Sequence, residues 1–234
     1  MSSEPLPALA RVGVSACLLG QRVRYDGGHK EHQLLSKGLA PWLTLVPVCP
    51  EDELGLGTPR EPIRLALAGE EITLRAPGSG SDHTQAMARF ARRRIEKLVT
   101  QGLDGYVLKS RSPSCGLAVD VQSPTGPLAR AARGRFAEAL ALELPDLPLC
   151  EESDLDHDPS RESFLRRVRC HAWLRATQPS FELLEEFHER QRAHVDPETH
   201  ARLRAALPET PDPRELDRYR SQLLRALATH QERT

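Results

Sequence analysis

The sequence predicts an α/β protein: a mostly parallel sheet flanked by helices, followed by a small α-helical C-terminal region. Two observations lead there. Short apolar, β-branched runs alternate with segments of helical periodicity up to about residue 150, the pattern of parallel strands joined by crossover helices. Beyond residue 160 the runs stop and only charged, amphipathic helical patterns remain. A chain of 234 residues with 39% hydrophobic content can bury a core, either as one large domain or as one of about 150 residues with an appendage.

Taken in order, the strands are "RVGVSACL" (11–18), "LTLVPVC" (43–49), "EITLR" (71–75), "DGYVLKS" (104–110) and "LPLCE" (147–151). The clearest helix is 81–102. Ser81 or Asp82 can cap it, Met87, Phe90, Ala91, Ile95, Leu98 and Val99 form one apolar stripe, and Gly102 suits a left-handed stop. A second helix is expected over 129–144. "EESDLDHDPS" (151–160) is acidic and turn-rich and reads as a linker, which divides the chain into an α/β unit (1–152) and a helical module (160–234). Within the module, "RESFLRRVRCHAWLRA" and "SFELLEEFHERQRAHV" are amphipathic, and "PETPDP" (208–213) breaks the pattern before a last helix of about 214–230.

Charge favours no class of partner. There are 32 Lys and Arg against 33 Asp and Glu, so whole-chain electrostatics points neither to nucleic acid nor to a membrane surface. No apolar run approaches the ~20 residues of a membrane span. "MSSEPLPALA" lacks the basic start and apolar stretch of a signal peptide, so a cytoplasmic protein is expected. Five cysteines in a reducing compartment are then thiols or metal ligands rather than disulfides.

Three of those cysteines are informative because of where they fall. Cys17 ends the first strand, Cys49 ends the second, and Cys115 lies just beyond the fourth. Ligands of open parallel sheets bind beyond the carboxyl ends of the strands, so these thiols can meet at one rim although no CxxC spacing links them. Three converging thiols suit a metal site, a dithiol redox centre, or an iron–sulfur cluster with one iron lacking a protein ligand. Strand-end cysteines also simply pack. The loop "RSPSCGLA" (111–118) is built stiffly around Cys115: Pro113 restricts the residue before it and Gly116 permits close backbone approach.

"VSACLLGQRVRYDGGHK" (14–30), "VPVCPEDELGLGTPREPIRL" (46–65) and "GYVLKSRSPSCG" (105–116), in this order, resemble the TudS-type thiouracil desulfidases, over residues 11–152. The resemblance implies a Rossmann-like domain with a 4Fe-4S cluster held by Cys17, Cys49 and Cys115, one iron being open to substrate. It implies hydrolytic desulfuration, in which a thiocarbonyl nucleobase or nucleoside becomes the oxo compound and sulfide is released. "LLEEFHERQRAH" (183–194) is similar to the start of the helical module that RudS-type members carry, which act on thiolated uridine in tRNA. This makes tRNA a candidate partner through the tail, and no membrane partner is expected. Four arginines around Trp173 in "RRVRCHAWLR" offer charge and stacking to RNA, while the many nearby acids oppose a strong phosphate-binding surface. Cys150 and Cys170 match no family cysteine.

The resemblance also places the chemistry. Glu51, two residues after Cys49, is the candidate general base or proton shuttle for water attacking the thiocarbonyl carbon while sulfur sits on the open iron. Ser112 is its catalytic companion, orienting substrate or water. Ser110, Ser114, Arg24, Asp26, His29, Lys109 and Arg60 are candidate substrate-binding residues, Lys109 being placed to offset cluster charge or meet a phosphate. Glu61 reads instead as half of an Arg–Glu pair fixing the loop around Cys49, with Arg60 and Arg64 as its neighbours. Two rival classes stand beside the desulfidase: a non-catalytic metal-binding or interaction module, and a thiol redox enzyme using Cys17 and Cys49.

Overall fold

A computed structural model describes residues 10–123, 126–176, 181–205 and 212–229. Strands β1 (Arg11–Ser15), β2 (Thr44–Val48), β5 (Leu103–Leu108) and β8 (Leu149–Glu151) form a parallel sheet in the order β2-β1-β5-β8. This is the mostly parallel, Rossmann-like sheet expected. β1 lies between strands that follow it by different routes, so the strand order reverses between β1 and β5, and a crevice opens there at the carboxyl ends.

Helices cover both faces because the central strands are apolar on both. β5 is buried at every position. Tyr106 and Leu108 face helices α2 (Thr84–Thr100) and α3 (Arg135–Glu143), whose Met87, Phe90, Ile95, Leu98, Phe136 and Leu140 complete one core. Val12, Val14 and Val107 face the other way, against Leu35, Phe164, Val168 and Ala172. The last three belong to α4 (Asp158–Ala176), which packs close to the sheet at Gly105: a Cβ there would stand 2.6 Å from Val168.

Several expectations are corrected. "EITLR" is a strand, β4 (Glu71–Arg75), but it pairs antiparallel with β3 (Arg64–Ala68) in a second sheet ordered β4-β3-β6-β7. That sheet's β6 (Val119–Ser123) and β7 (Gly126–Ala132) were not legible as strands, because they take their form from pairing with each other and with β3. The helix expected over 129–144 begins only at Arg135; its Ala- and Arg-rich start is claimed by pairing with β6, which overrides helix propensity. Val99 is 49% exposed rather than part of the buried stripe. Gly102 does take the left-handed turn, at φ 77°. α2 starts at Thr84, whose amide donates to the Asp82 carboxylate at 2.9 Å.

The linker reading of 151–160 is also corrected. Residues 152–156 form a 3₁₀ turn with Leu155 fully buried, running directly into α4. The C-terminal region is helical as expected. α5 (Phe181–Arg190), α6 (Pro197–Ala205) and α7 (Pro213–Thr229) pack with the end of α4 around Leu174, Leu184, Leu203 and Leu223. Trp173 stacks on Phe187 with ring centroids 4.5 Å apart, so its ring serves the module's own packing. Of "PETPDP", residues 208–211 lie outside the described residues. Asp212 caps α7, accepting from the amides of Arg214 and Glu215 at 2.8 Å. No described helix is long and apolar enough to cross a membrane.

Candidate functional site

Three strand ends deliver the thiols to one place. Cys17 lies in the 3₁₀ turn after β1, Cys49 immediately after β2, and Cys115 in the loop after β5; all three line one cavity of about 280 Å³. Each thiol is made less acidic than usual, first by burial. Cys17 is pushed up to about 11, with Cys49 adding to the effect; Cys49 itself is raised, and so is Cys115, against which the Ser15 hydroxyl's hydrogen bond to its sulfur acts. The Cys49 thiol donates to the Val23 carbonyl at 3.6 Å. Among the described residues no three His, Cys, Asp or Glu side chains converge on a single metal ion.

The loop bearing Cys115 is folded on itself. Ser112 Oγ accepts from the amides of Ser114 (3.3 Å) and Cys115 (3.1 Å), and the Gly116 amide donates to the Ser112 carbonyl at 2.7 Å. A Cβ on Gly116 would sit 3.1 Å from the amide nitrogens of Arg111 and Ser112. The first turn of α3 caps the loop from below, its amides at Phe136 and Ala137 both donating to the Ser114 carbonyl. Arg111 adopts φ 57°, a left-handed conformation uncommon for a side chain of its size.

Glu51 stands on this wall, one residue into helix α1 (Pro50–Glu53). Its Oε1 accepts from the Ser114 hydroxyl at 2.9 Å, and its Oε2 accepts from Arg60 Nη2 at 2.7 Å and Nε at 2.9 Å. Arg60 also donates to the carbonyls of Val23 and Gly57 and is almost wholly buried. The Arg–Glu pair near Cys49 therefore exists, but joins Arg60 to Glu51. Glu61 instead accepts from the amides of Gly78 and Ser79, and the Ser79 side chain, followed by these amides, holds its carboxyl below the usual range.

The remaining expected residues fall into four groups. Arg24 and Ser112 line the cavity, as does Arg64. Lys109 and Ser110 line it too, but their polar heads face Glu152: the Lys109 ammonium pairs with it, and the Ser110 hydroxyl donates to Oε1 at 2.7 Å. Burial would raise the Glu152 carboxyl, yet these bonds outweigh it and leave it lowered. Ser114 is fully buried behind Glu51. Asp26 and His29 are exposed and off the cavity wall; Asp26 accepts from the Gly28 amide and pairs with Arg24 at 3.6 Å, and His29 accepts from the Glu31 amide. Cys150 and Cys170 are buried in separate apolar clusters.

Sequence reasoning missed Ser15, Tyr25, Glu151 and Glu152. Among the described residues, Tyr25 is the sole aromatic side chain of the cavity wall, beside the Arg24 guanidinium. Glu151 ends parallel strand β8 and Glu152 follows it, at the same rim as the cysteines. The strand-end rule that found the thiols would have found them, had their acidity not read as a linker.

Comparison with known proteins places this rim within a matched stretch. A family model described as 2-thiouracil desulfurase matches residues 12–152. The protein YbbK of Bacillus subtilis (strain 168), described as uncharacterized, is 32% identical over 108 residues, covering 44% of this chain and 71% of its own. A solved structure of the 4Fe-4S-dependent thiouracil desulfidase TudS is 31% identical, with a TM-score of 0.49, covering 62% of this chain and 93% of that one.

Proposed function

This chain belongs to the 2-thiouracil desulfurase family, and from that premise we propose that it is an iron–sulfur-dependent desulfidase converting the C=S group of a thiolated pyrimidine to C=O. One observation carries the reading: three thiols from three separate strand ends line one cavity inside the matched segment. The donor set fits the cluster. Thiols made this reluctant to ionise by burial would become thiolates beside a compensating cation, and Cys17, Cys49 and Cys115 would hold such a polynuclear group while leaving it accessible to substrate. When bound, such a cluster supplies a Lewis-acidic iron with an affinity for sulfur.

The side chains around it do the rest. Overall, water's oxygen becomes the carbonyl oxygen and sulfur departs with water's protons as hydrogen sulfide. Glu51 takes a proton from the attacking water at Oε1, while Arg60 fixes its other oxygen and Ser114 fixes its orientation. Ser112 Oγ already accepts two amide hydrogens, which leaves its own proton to be donated into the cavity, toward the substrate's polar edge. Tyr25 offers a flat face for a heterocycle. A volume of about 280 Å³ suits a single base and favours a free thiobase or nucleoside; thiolated tRNA would have to present its base extruded from the stack.

The test is anaerobic purification followed by assay of sulfide release from 2-thiouracil, a 4-thiouridine nucleoside and thiolated tRNA side by side. A brown protein with about four irons and four sulfides that releases sulfide from one of them is the expected result. A colourless, zinc-loaded protein that releases none overturns the reading.

A further inference from the structure

The loop that leaves β5 must present Ser112 and Cys115 to the cavity and then turn back toward β6. Its internal bonds make a compact knot, and α3 holds the knot's crest, but neither fixes the loop's two ends against the parallel sheet. That anchorage comes from the neighbouring strands, beginning with β1, whose Ser15 Oγ accepts from the Lys109 amide at 2.9 Å. β8 pairs with β5, and the carboxylates of its last residue, Glu151, and of the next, Glu152, reach the loop. Glu151 Oε1 accepts from the Leu117 amide at 2.7 Å. Glu152 Oε2 accepts from the Ser110 amide at 2.7 Å, while its Oε1 receives the Ser110 hydroxyl and the Lys109 ammonium.

Both carboxylates are themselves held. Glu151 forms a reciprocal capping box with Asp154, whose side chain accepts from the Glu151 amide at 2.8 Å. Glu152 is held by Lys109, which in turn donates to the Ser110 carbonyl. Each is largely shielded from water, where a charge-assisted bond to an amide is stronger than a neutral one. We propose that Glu151 and Glu152 are positioning residues for the reaction: consecutive carboxylates that pin the two ends of the 110–117 loop and so hold Ser112 and Cys115 at the cavity wall. The role in the reaction rests on the desulfidase reading above; the pinning itself does not.

Amide hydrogen exchange on the full chain, purified anaerobically, tests it. In the wild type the 109–117 segment exchanges as slowly as β5. Glu151→Ala and Glu152→Ala each speed exchange of that segment by about tenfold or more, leaving α2 and α7 unchanged. Glu151→Gln and Glu152→Gln stay near the wild-type rate, because an amide oxygen still accepts from N–H. In steady-state assays the alanine variants lose kcat by about tenfold or more with KM little changed, as expected when reacting groups drift, and the glutamine variants recover most of it. Two results overturn the proposal: loop exchange unaltered in both alanine variants, or a wild-type loop already exchanging like an exposed one. The second needs no variant and so decides even if the alanine variants fail to fold. A wild-type protein that releases no sulfide from any thiolated pyrimidine defeats the reaction reading alone, since the exchange data still decide the pinning.

Discussion

At the cavity rim, Glu51 has Ser114 on one oxygen and Arg60 on the other, and Glu152 gathers the ammonium of Lys109 with the amide and hydroxyl of Ser110. In the helical tail, by contrast, both ring nitrogens of His188, Nε2 of His200 and the Tyr219 hydroxyl are buried without a hydrogen bond of ordinary geometry. The His188 and His200 rings pack 3.8 Å apart, with Tyr219 next to them. Buried polar groups that are fully partnered hold one geometry, which is what a site needs; unpartnered ones are tolerated only as long as packing around them persists. The rim is therefore specified by hydrogen bonds, whereas the tail's interior around His188 and Tyr219 is held by packing.

The strongest break in this comparison comes from the thiols. Cys17→Ala, Cys49→Ala or Cys115→Ala is expected to abolish both bound iron and sulfide release, whereas Cys150→Ala keeps both, as measured by iron and acid-labile sulfide content. Next comes Glu51→Gln, expected to retain iron but to lower sulfide release by about 10²-fold or more; turnover at the wild-type rate would remove Glu51 from the chemistry. Tyr25→Ala should raise KM by roughly tenfold through lost stacking, and Tyr25→Phe should restore it.

The smaller effects set the two regions side by side. Ser114→Ala leaves Glu51 Oε1 without its hydroxyl donor and should cost about 1–3 kcal/mol in denaturant unfolding. Tyr219→Phe removes a hydroxyl that has no hydrogen bond and should be neutral or slightly stabilising. Equal losses in both would erase the distinction. Acid sharpens it further. Burial, helped by His200, holds the His188 imidazole down at about 4, so the unfolded chain takes up a proton that the folded tail refuses. Tail stability should then fall as pH drops from about 6.5 toward 4, followed by hydrogen exchange of α5 to α7. Glu152, lowered in the folded state, stabilises the rim above its ordinary value near 4.5 and is lost only below that, so the tail should loosen first.

Legibility from sequence followed the range of the interactions. β1 and β5 were visible as apolar β-branched runs because their burial on both faces is written into consecutive residues, and the half-buried edge strand β2 was visible by its Leu- and Val-rich composition. α2 was visible because its stripe repeats within one segment. β3, β6 and β7 were not, since the strands of this smaller sheet take their identity from pairing with each other. The site was half legible. Cys17, Cys49, Cys115, Glu51 and Ser112 came from strand-end logic and family likeness, and all of them line the cavity. Asp26 and His29 were misplaced because they stand near cavity residues in sequence, while the turn at Gly27 and Gly28 carries them outward to solvent.

Residue order alone was enough to mark the central strands, to bring three distant thiols to one rim, and to foresee a helical tail. These are consequences of local hydrophobic pattern and of the fixed direction of a parallel sheet. Folding in three dimensions was needed to settle which polar group answers which: that Arg60 faces Glu51 rather than Glu61, that Lys109 is held by Glu152, and that Glu151 and Glu152 bond to the loop after β5. Hydrogen bonds between residues 9 to 63 positions apart depend on distances set by packing, and no pattern along the chain encodes them.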